Sequence, residues 1–198
     1  MAQGGGRIIM KLAEVKKAMA SLSAESITDT NYKAKGYHLD VKVAPDQVVQ
    51  AVQILDQHNF FVEAVTGVDW LGEKVALQKE KEKAAKAAAK KAAEEGGEGA
   101  VAQPAAGEQQ APVDLADELE VVYDFNCMEE LCRVVIRSRV PRDNPEIQTI
   151  SEVFPGANWH ERETHDFFGI RFIGHPSLIP LLLPEDADFH PLLKDFHV

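Results

Sequence analysis

The sequence predicts an α+β fold, in which a small mixed sheet has helices packed on one face and is followed by a short helix and an extended C-terminal docking tail. Two observations predict the sheet and its helices: segments in which apolar and polar residues alternate are interleaved with segments of helical period. A third observation predicts the tail, because the last fifteen residues contain two prolines and very little regular periodicity.

Two helices and four strands are predicted before residue 141. Met10–Ser23 and the segment that follows Pro45 carry apolar residues at helical spacing. Strands are predicted where apolar and polar residues alternate or where β-branched and aromatic residues cluster, at Gly36–Val43, Phe60–Trp70, Leu119–Phe125 and Leu131–Arg137. The last two strands are joined by a short turn and predict a hairpin, whereas the strand order of the sheet does not follow from the sequence.

An insertion interrupts this pattern at Glu73–Glu118. The segment contains no aromatic residue and is rich in Ala, Lys and Glu, so burial of its few apolar side chains cannot offset the entropy of ordering it. Within it, Lys79–Glu95 consists of strong helix formers and predicts a solvated, partly helical run. We therefore predict an α+β domain formed by residues 1–72 and 119–152, the insertion at 73–118, and the motif helix with its tail at 153–198.

Charge and composition exclude several classes of protein. The net charge of −11, of which the insertion contributes −3, repels a phosphate backbone and argues against a nucleic-acid partner. Direct membrane insertion is not expected, because the apolar run Leu178–Leu183 is broken by Pro180 and is far shorter than the roughly 20 residues that span a bilayer. Cys127 and Cys132 supply half of a four-cysteine metal site and are predicted to be reduced thiols.

A short helix flanked by turn residues is the most informative segment. Ile147–Phe154 predicts one short helix that Pro155-Gly156 ends. Asn158 and Glu161 then predict a capping box at the start of the next helix, and Gly169 suits the left-handed position just past its end.

The charged and histidine residues of this second helix define its possible chemistry. Arg162 and Asp166 lie four apart, so their side chains can meet on the helix surface. His160 and His165 lie five apart, which leaves the two rings about 140° apart around the helix axis and excludes a zinc pair on one face.

Several short motifs follow one another in a fixed order from this helix to the end of the chain. They are Glu161-Arg162-Glu163, Asp166-Phe167-Phe168-Gly169-Ile170, Gly174-His175-Pro176, Leu182-Leu183-Pro184-Glu185-Asp186, His190-Pro191-Leu192 and Lys194-Asp195-Phe196. In this series the sequence resembles the thirty-kilodalton subunit of respiratory complex I. That family includes the related subunit of energy-converting membrane-bound nickel–iron hydrogenases.

The resemblance implies a subunit of a complex I-type NADH (or ferredoxin):quinone oxidoreductase that has no catalytic centre and binds no cofactor itself. Such a subunit docks onto and shapes the large hydrogenase-like (forty-nine-kilodalton type) subunit, and its other partners are the iron–sulfur subunits of the peripheral arm. Iron–sulfur clusters and the quinone or nickel–iron centre are expected in those partners. The resemblance also implies a peripheral position on the cytoplasmic side of the cell membrane.

The resemblance further implies a set of interface residues on the motif helix and the tail. They are Glu161, Arg162, Glu163, Asp166, Gly169, Gly174, His175, Pro176, His190, Pro191, Lys194 and Asp195.

Two alternatives to this function stay open. Ile179-Pro180 and Leu193 stand where most relatives carry basic residues, so the equivalent subunit of a membrane-bound nickel–iron hydrogenase is the alternative within the family. The alternative from another class is a free-standing acid–base or metal-dependent enzyme built around His175 and His190, since each of these histidines precedes a proline that favours an extended backbone.

Overall fold

The computed structural model describes residues 3–22, 24–77, 79–80, 83 and 117–197, with side chains from residue 11 onward. The chain forms two compact units, one made of Met1–Trp70 with Glu118–Val198 and the other of Leu71–Asp117. Most of the run Lys79–Glu95, for which the sequence predicts a partly helical segment, lies outside the described residues.

The first unit contains four helices, a 3-10 turn and seven strands in its described part. In chain order these are α1 (Gln3–Ala20), β1 (Ser26–Asp29), α2 (Tyr32–Lys35), β2 (Leu39–Lys42), the 3-10 turn (Pro45–Gln47), α3 (Val48–Gln57), β3 (Phe61–Asp69), β4 (Glu118–Cys127), β5 (Cys132–Pro141), β6 (Glu146–Gln148), α4 (Ala157–Phe168) and β7 (Arg171–Ile173).

Five of the strands form one mixed sheet in the order β1-β2-β5-β4-β3. β2 pairs with β5 in parallel, and all other neighbours in this sheet are antiparallel. A second, two-stranded parallel sheet is formed by β6 and β7, in which Ile147 pairs with Phe172. The α+β fold class with a small mixed sheet is therefore confirmed.

The two faces of the five-stranded sheet differ in chemistry because side chains alternate along each strand. One face contributes Val65, Tyr123 and Ile136 to a single hydrophobic core, which also contains buried side chains of α1, α3 and α4. The opposite face carries ion pairs, among them Arg137 with Asp40 at 3.1 Å and with Glu120 at 3.3 Å. The helices thus pack on one face of the sheet, as the sequence predicts.

The predicted hairpin of β4 and β5 is confirmed, and its two cysteines pair next to the turn that joins the strands. Cys127 of β4 and Cys132 of β5 are direct register partners, and both are buried free thiols. Burial raises the pKa of Cys132 to about 12, so it is protonated at neutral pH.

The helix predicted at Ile147–Phe154 is wrong. Residues 146–148 form β6, and the chain then turns so that the Phe154 N–H donates to the carbonyl of Ile150 at 2.8 Å. The cause is non-local, because β6 gains its hydrogen bonds from β7, which lies more than twenty residues further along the chain. Local spacing carries no information about that pairing.

Candidate functional site

The motif helix α4 ends at a specific glycine, whereas its N-terminal end has no side-chain cap. Gly169 adopts φ +73° just past the helix, and its N–H donates to the carbonyl of His165 at 2.8 Å, so the predicted left-handed end is confirmed. The capping box is wrong: Gly156 occupies the N-cap position without a side-chain cap, and Asn158 lies inside the first turn.

Glu161 does not cap the helix, because its side chain is fully buried and binds the segment that follows β6. One carboxyl oxygen accepts the N–H of Ile150 at 2.8 Å, and the other shares a short hydrogen bond with the hydroxyl of Thr149. Thr149 is in turn 2.8 Å from the hydroxyl of Ser151. This carboxyl group therefore ties the motif helix to the β6 segment.

The environment of Glu161 favours its protonated form. Burial raises its pKa to about 7, although the hydrogen bonds from Thr149 and Ile150 oppose the shift. The hydroxyl of Tyr123 is buried nearby without a hydrogen-bond partner in the described chain, and its own pKa is raised by burial and by Glu161. The Nε2 atom of His175 lies 3.9 Å from the carboxyl group.

Arg162 and Asp166 bind the backbone of the C-terminal tail. Asp166 accepts three consecutive N–H groups, from Leu181 at 2.8 Å, Leu182 at 2.7 Å and Leu183 at 3.2 Å. Arg162 donates to the carbonyls of Ile179 and Pro180, both at 2.9 Å. Burial raises the pKa of Asp166, but the three donors outweigh burial and hold the pKa below its ordinary value. The two charged residues therefore act as an acceptor and a donor for the same stretch of tail.

The histidines of the two histidine–proline turns also form hydrogen bonds within the chain. His175 donates from Nε2 to the carbonyl of Asn158 at 3.2 Å and accepts the N–H of Ser177 at Nδ1 at 3.1 Å. Its side chain is inaccessible to solvent, and burial lowers its pKa. His190 donates from Nδ1 to the carbonyl of Asp166 at 2.8 Å. Both imidazoles therefore connect the chain after β7 to the motif helix.

The end of the tail is fixed by Asp69 and Arg142, two residues that the sequence analysis does not single out. Arg142 binds Asp69 through Nε at 3.3 Å and Nη2 at 3.2 Å, and binds Asp195 through Nη1 at 3.1 Å. Asp69 also accepts the N–H of Lys194 at 2.8 Å. The available signal was an acidic residue at the end of an apolar strand and an arginine that directly follows another strand.

The remaining predicted interface residues lie along the same tail and helix. Glu163 is half-buried and makes no ion pair with any described residue, while Gly174 adopts φ +85° directly before the first histidine–proline turn. Pro176 is exposed and Pro191 is half-buried. The role of this set in an interface with another protein stays a prediction.

Large apolar side chains point outward from this region. Beyond Ile173 the described chain, up to His197, contains no helix or strand, and it is held by the contacts above. The exposed residues on the motif helix, β7 and the tail are Trp159, Ile173, Ile179, Leu182, Phe189 and Leu192. The structure thus presents an apolar surface on a segment whose polar groups bind the chain itself.

Metal binding and membrane spanning are the other functions to consider. Within the described ranges, no three His, Cys, Asp or Glu side chains are grouped so that they could hold a metal ion. No helix in the described part of the chain is long and apolar enough to cross a membrane.

The chain is similar to subunits of NADH-quinone oxidoreductases and of an F(420)H(2) dehydrogenase. The chain is 42% identical over 85 residues to the C-subunit of the NADH-quinone oxidoreductase of Mycobacteroides abscessus, covering 43% of this chain and 37% of that protein. It is 47% identical over 76 residues to the corresponding protein of Roseiflexus castenholzii, covering 38% and 44%. It is 44% identical over 81 residues to the C-subunit of the F(420)H(2) dehydrogenase of Methanosarcina mazei, covering 40% and 51%. The matches thus span only about a third to a half of these relatives.

Solved structures share the fold. A trypsin-resistant fragment of Nqo5 superposes with a TM-score of 0.54 at 21% identity, covering 85% of this chain and 99% of the fragment. A chain from the membrane-bound sulfane sulfur reductase, an archaeal respiratory membrane complex, superposes with a TM-score of 0.62 at 21% identity, covering 94% and 86%. The family "Respiratory-chain NADH dehydrogenase, 30 Kd subunit" matches residues 41–198. This chain belongs to that family.

Proposed function

We propose that this chain is a non-catalytic subunit of a complex I-type or related membrane-bound redox complex. Family membership over residues 41–198 and the names of the curated relatives support this proposal. In this proposal the chain binds no cofactor, and the iron–sulfur clusters and the quinone or nickel–iron centre belong to its partners.

The proposed partner surface is the outward side of the motif helix and tail, which docks onto the large hydrogenase-like subunit. One observation carries this proposal. Arg162 and Asp166 of the motif helix bind the backbone of the tail, and apolar side chains of that tail such as Leu182 and Leu192 are 60% and 52% exposed. Apolar surface marks sites of protein–protein contact where such side chains lie together, and in this proposal these exposed side chains form the contact. In such a complex the subunit lies peripherally on the cytoplasmic side of the membrane, beside the iron–sulfur subunits.

The equivalent subunit of an energy-converting nickel–iron hydrogenase is the second candidate. The resemblance keeps this branch open, because Ile179-Pro180 and Leu193 stand where most relatives carry basic residues. The identity of the co-purifying large subunit separates the two candidates. A quinone-type large subunit indicates a complex I-type assembly, and a nickel-binding one indicates the hydrogenase branch.

The test is purification of the tagged full chain from membranes in mild detergent, with partners identified and quantified by mass spectrometry. We expect a hydrogenase-like large subunit in stoichiometric amount. The double variant Leu182→Glu/Leu192→Glu should lower its recovery at least tenfold, because charges would be buried in an apolar contact. The matched control is Met128→Glu, which changes a 68% exposed apolar residue in the β4–β5 turn. No large subunit with the wild-type chain, or full recovery with the double variant, would contradict the proposal.

A further inference from the structure

A cleft opens beside the motif helix. It encloses about 380 Å³ between the turn after β6, the first turn of α4 and the turn after β7. Its lining includes Glu152, Pro155, Asn158, Trp159, Gly174 and Pro176. Three segments that are distant in sequence therefore meet at one opening.

Hydrogen bonds between the three segments hold the walls of this cleft in place. The His175 imidazole joins the turn after β7 to α4 through the carbonyl of Asn158. The Glu161 carboxyl joins α4 to the turn after β6 through Ile150 and Thr149. The bonds of Glu161 are buried and that of His175 is partly buried, and Pro155 and Pro176 restrict the backbone of two walls. A site that is already ordered loses little entropy when it binds a partner.

The chemistry of the cleft combines a carboxylate with an aromatic face. Trp159 is 67% exposed, an unusual state for the largest apolar side chain. Glu152 is exposed and makes no ion pair with any described residue. A carboxylate beside an indole and proline surfaces matches a guanidinium group, which forms forked hydrogen bonds to carboxylates and stacks on aromatic rings.

Charge favours the same type of ligand. The chain carries a net charge of −11, so its field attracts a cationic group. Lysine would satisfy the carboxylate alone, whereas arginine also fits the flat apolar walls. Arginine is also among the side chains that most often act as hot spots of protein interfaces.

We infer that the cleft between Glu152, Trp159 and Pro176 receives an arginine side chain from a protein partner. This inference rests on the proposed docking role, because the partner is another subunit of the complex. It adds a specific polar anchor to the apolar contact of the tail.

The first test is an NMR titration of the full chain labelled with ¹⁵N. The probe is the peptide acetyl-Gly-Arg-Gly-amide, compared with the same peptide containing citrulline, which has the shape of arginine without its charge. We expect a saturable shift of the Trp159 indole N–H and the Gly174 amide with the arginine peptide. The Trp70 indole, which packs against Arg139, is the internal reference and should not move. The citrulline peptide should bind at least fivefold more weakly.

Matched variants locate the binding. Glu152→Gln should weaken binding of the arginine peptide at least fivefold, and Trp159→Leu should do the same with the Gly174 amide as reporter. The control Glu129→Gln removes an exposed carboxylate in the β4–β5 turn that does not line the cleft, and it should leave the affinity within twofold. Equal binding of the two peptides, or no shift of either reporter, would overturn the inference.

The second test uses the assembled complex. A photoreactive benzoylphenylalanine in place of Pro155, which lines the cleft but supplies neither its carboxylate nor its indole, should cross-link to a partner peptide that contains an arginine at or next to the cross-linked residue. A cross-linked peptide without arginine nearby, or no cross-link in a complex that still contains the large subunit, would overturn the arginine site while leaving the proposed docking role intact. Loss of the large subunit from the unmodified complex would instead contradict the proposed function.

Discussion

The imidazole of His190 lies against Gly169, so closely that a Cβ at position 169 would stand 2.7 Å from its Cδ2 and Nε2 atoms. The same glycine has φ +73° and ends the motif helix. His190 reaches this place because its Nδ1 donates to the carbonyl of Asp166. Gly169 thus ends the helix and leaves space for the imidazole of His190, and only glycine meets both requirements.

We predict that Gly169→Ala destabilises the protein by about 2–3 kcal/mol in chemical unfolding, from backbone strain together with the displacement of His190. The matched control is Gly36→Ala, which has φ +82° and no atom within 4 Å of the added Cβ. The control should cost only the backbone strain, about 1 kcal/mol. Equal losses in both variants would show that the contact with His190 contributes nothing.

Asp166→Ala should release the middle of the tail without unfolding the sheet. The variant removes the acceptor of three backbone N–H groups, at Leu181, Leu182 and Leu183. Hydrogen bonds to a charged acceptor are worth about 1.5–3 kcal/mol, so we expect amide exchange at these positions to accelerate roughly thirtyfold, which corresponds to about 2 kcal/mol. Hydrogen exchange with mass spectrometry measures this directly.

Glu163→Ala is the control on the same helix, since Glu163 makes no ion pair with any described residue. It should leave exchange in the tail unchanged. Unchanged protection at Leu181–Leu183 in Asp166→Ala would mean that apolar contacts alone hold the tail.

Much of the sheet could be predicted from the sequence because its strands carry their own pattern. β3, β4 and β5 lie within a few residues of the predicted ranges, and their alternation reflects one apolar and one charged face. β1 and α2 have only four residues each, too few for a period to appear. β6 depends on its pairing with β7, so its three residues resemble a helix start in isolation.

The sequence draws attention to the residues of the motif helix but does not predict the contacts that they make within the chain. The motif places Glu161, Arg162 and Asp166 on one helix, and local spacing suggests that they pair with each other or with a partner. Arg162 and Asp166 find their hydrogen bonds in the tail, 15 to 18 residues further along the chain. Glu161 finds its own in the segment after β6, 11 and 12 residues earlier. The anchor pair Asp69 and Arg142 is separated by 73 residues, which include the insertion, so no short window contains it.

Glu161 predicts a pH dependence of stability. Its pKa is raised from 4.5 to about 7 in the folded protein, chiefly by burial, so the folded state keeps a proton that the unfolded state loses above pH 4.5. Stability from this group is therefore complete below pH 4.5 and decreases as the pH rises through 7, by roughly 3 kcal/mol in total.

Glu161→Gln tests this dependence, because its amide keeps an acceptor for Ile150 but does not titrate. The free energy of unfolding, measured between pH 4.5 and 8, should fall less steeply with rising pH in the variant than in the wild type. The two curves should differ by roughly 3 kcal/mol more at pH 8 than at pH 4.5. Parallel curves would assign the pH dependence to other groups.

Deleting residues 73–116 should leave the first unit folded. β3 and β4 pair directly up to Asp69 and Leu119, and the N–H of Trp70 donates to the carbonyl of Glu118 at 3.0 Å. The shortened chain would join Gly72 to Asp117, and Gly72 already has the φ of +75° that a short hairpin loop requires. Because a shorter loop costs less closure entropy, we expect the Tm to stay the same or rise by a few degrees. A fall of more than about 5 °C in differential scanning calorimetry would show that the segment stabilises the sheet.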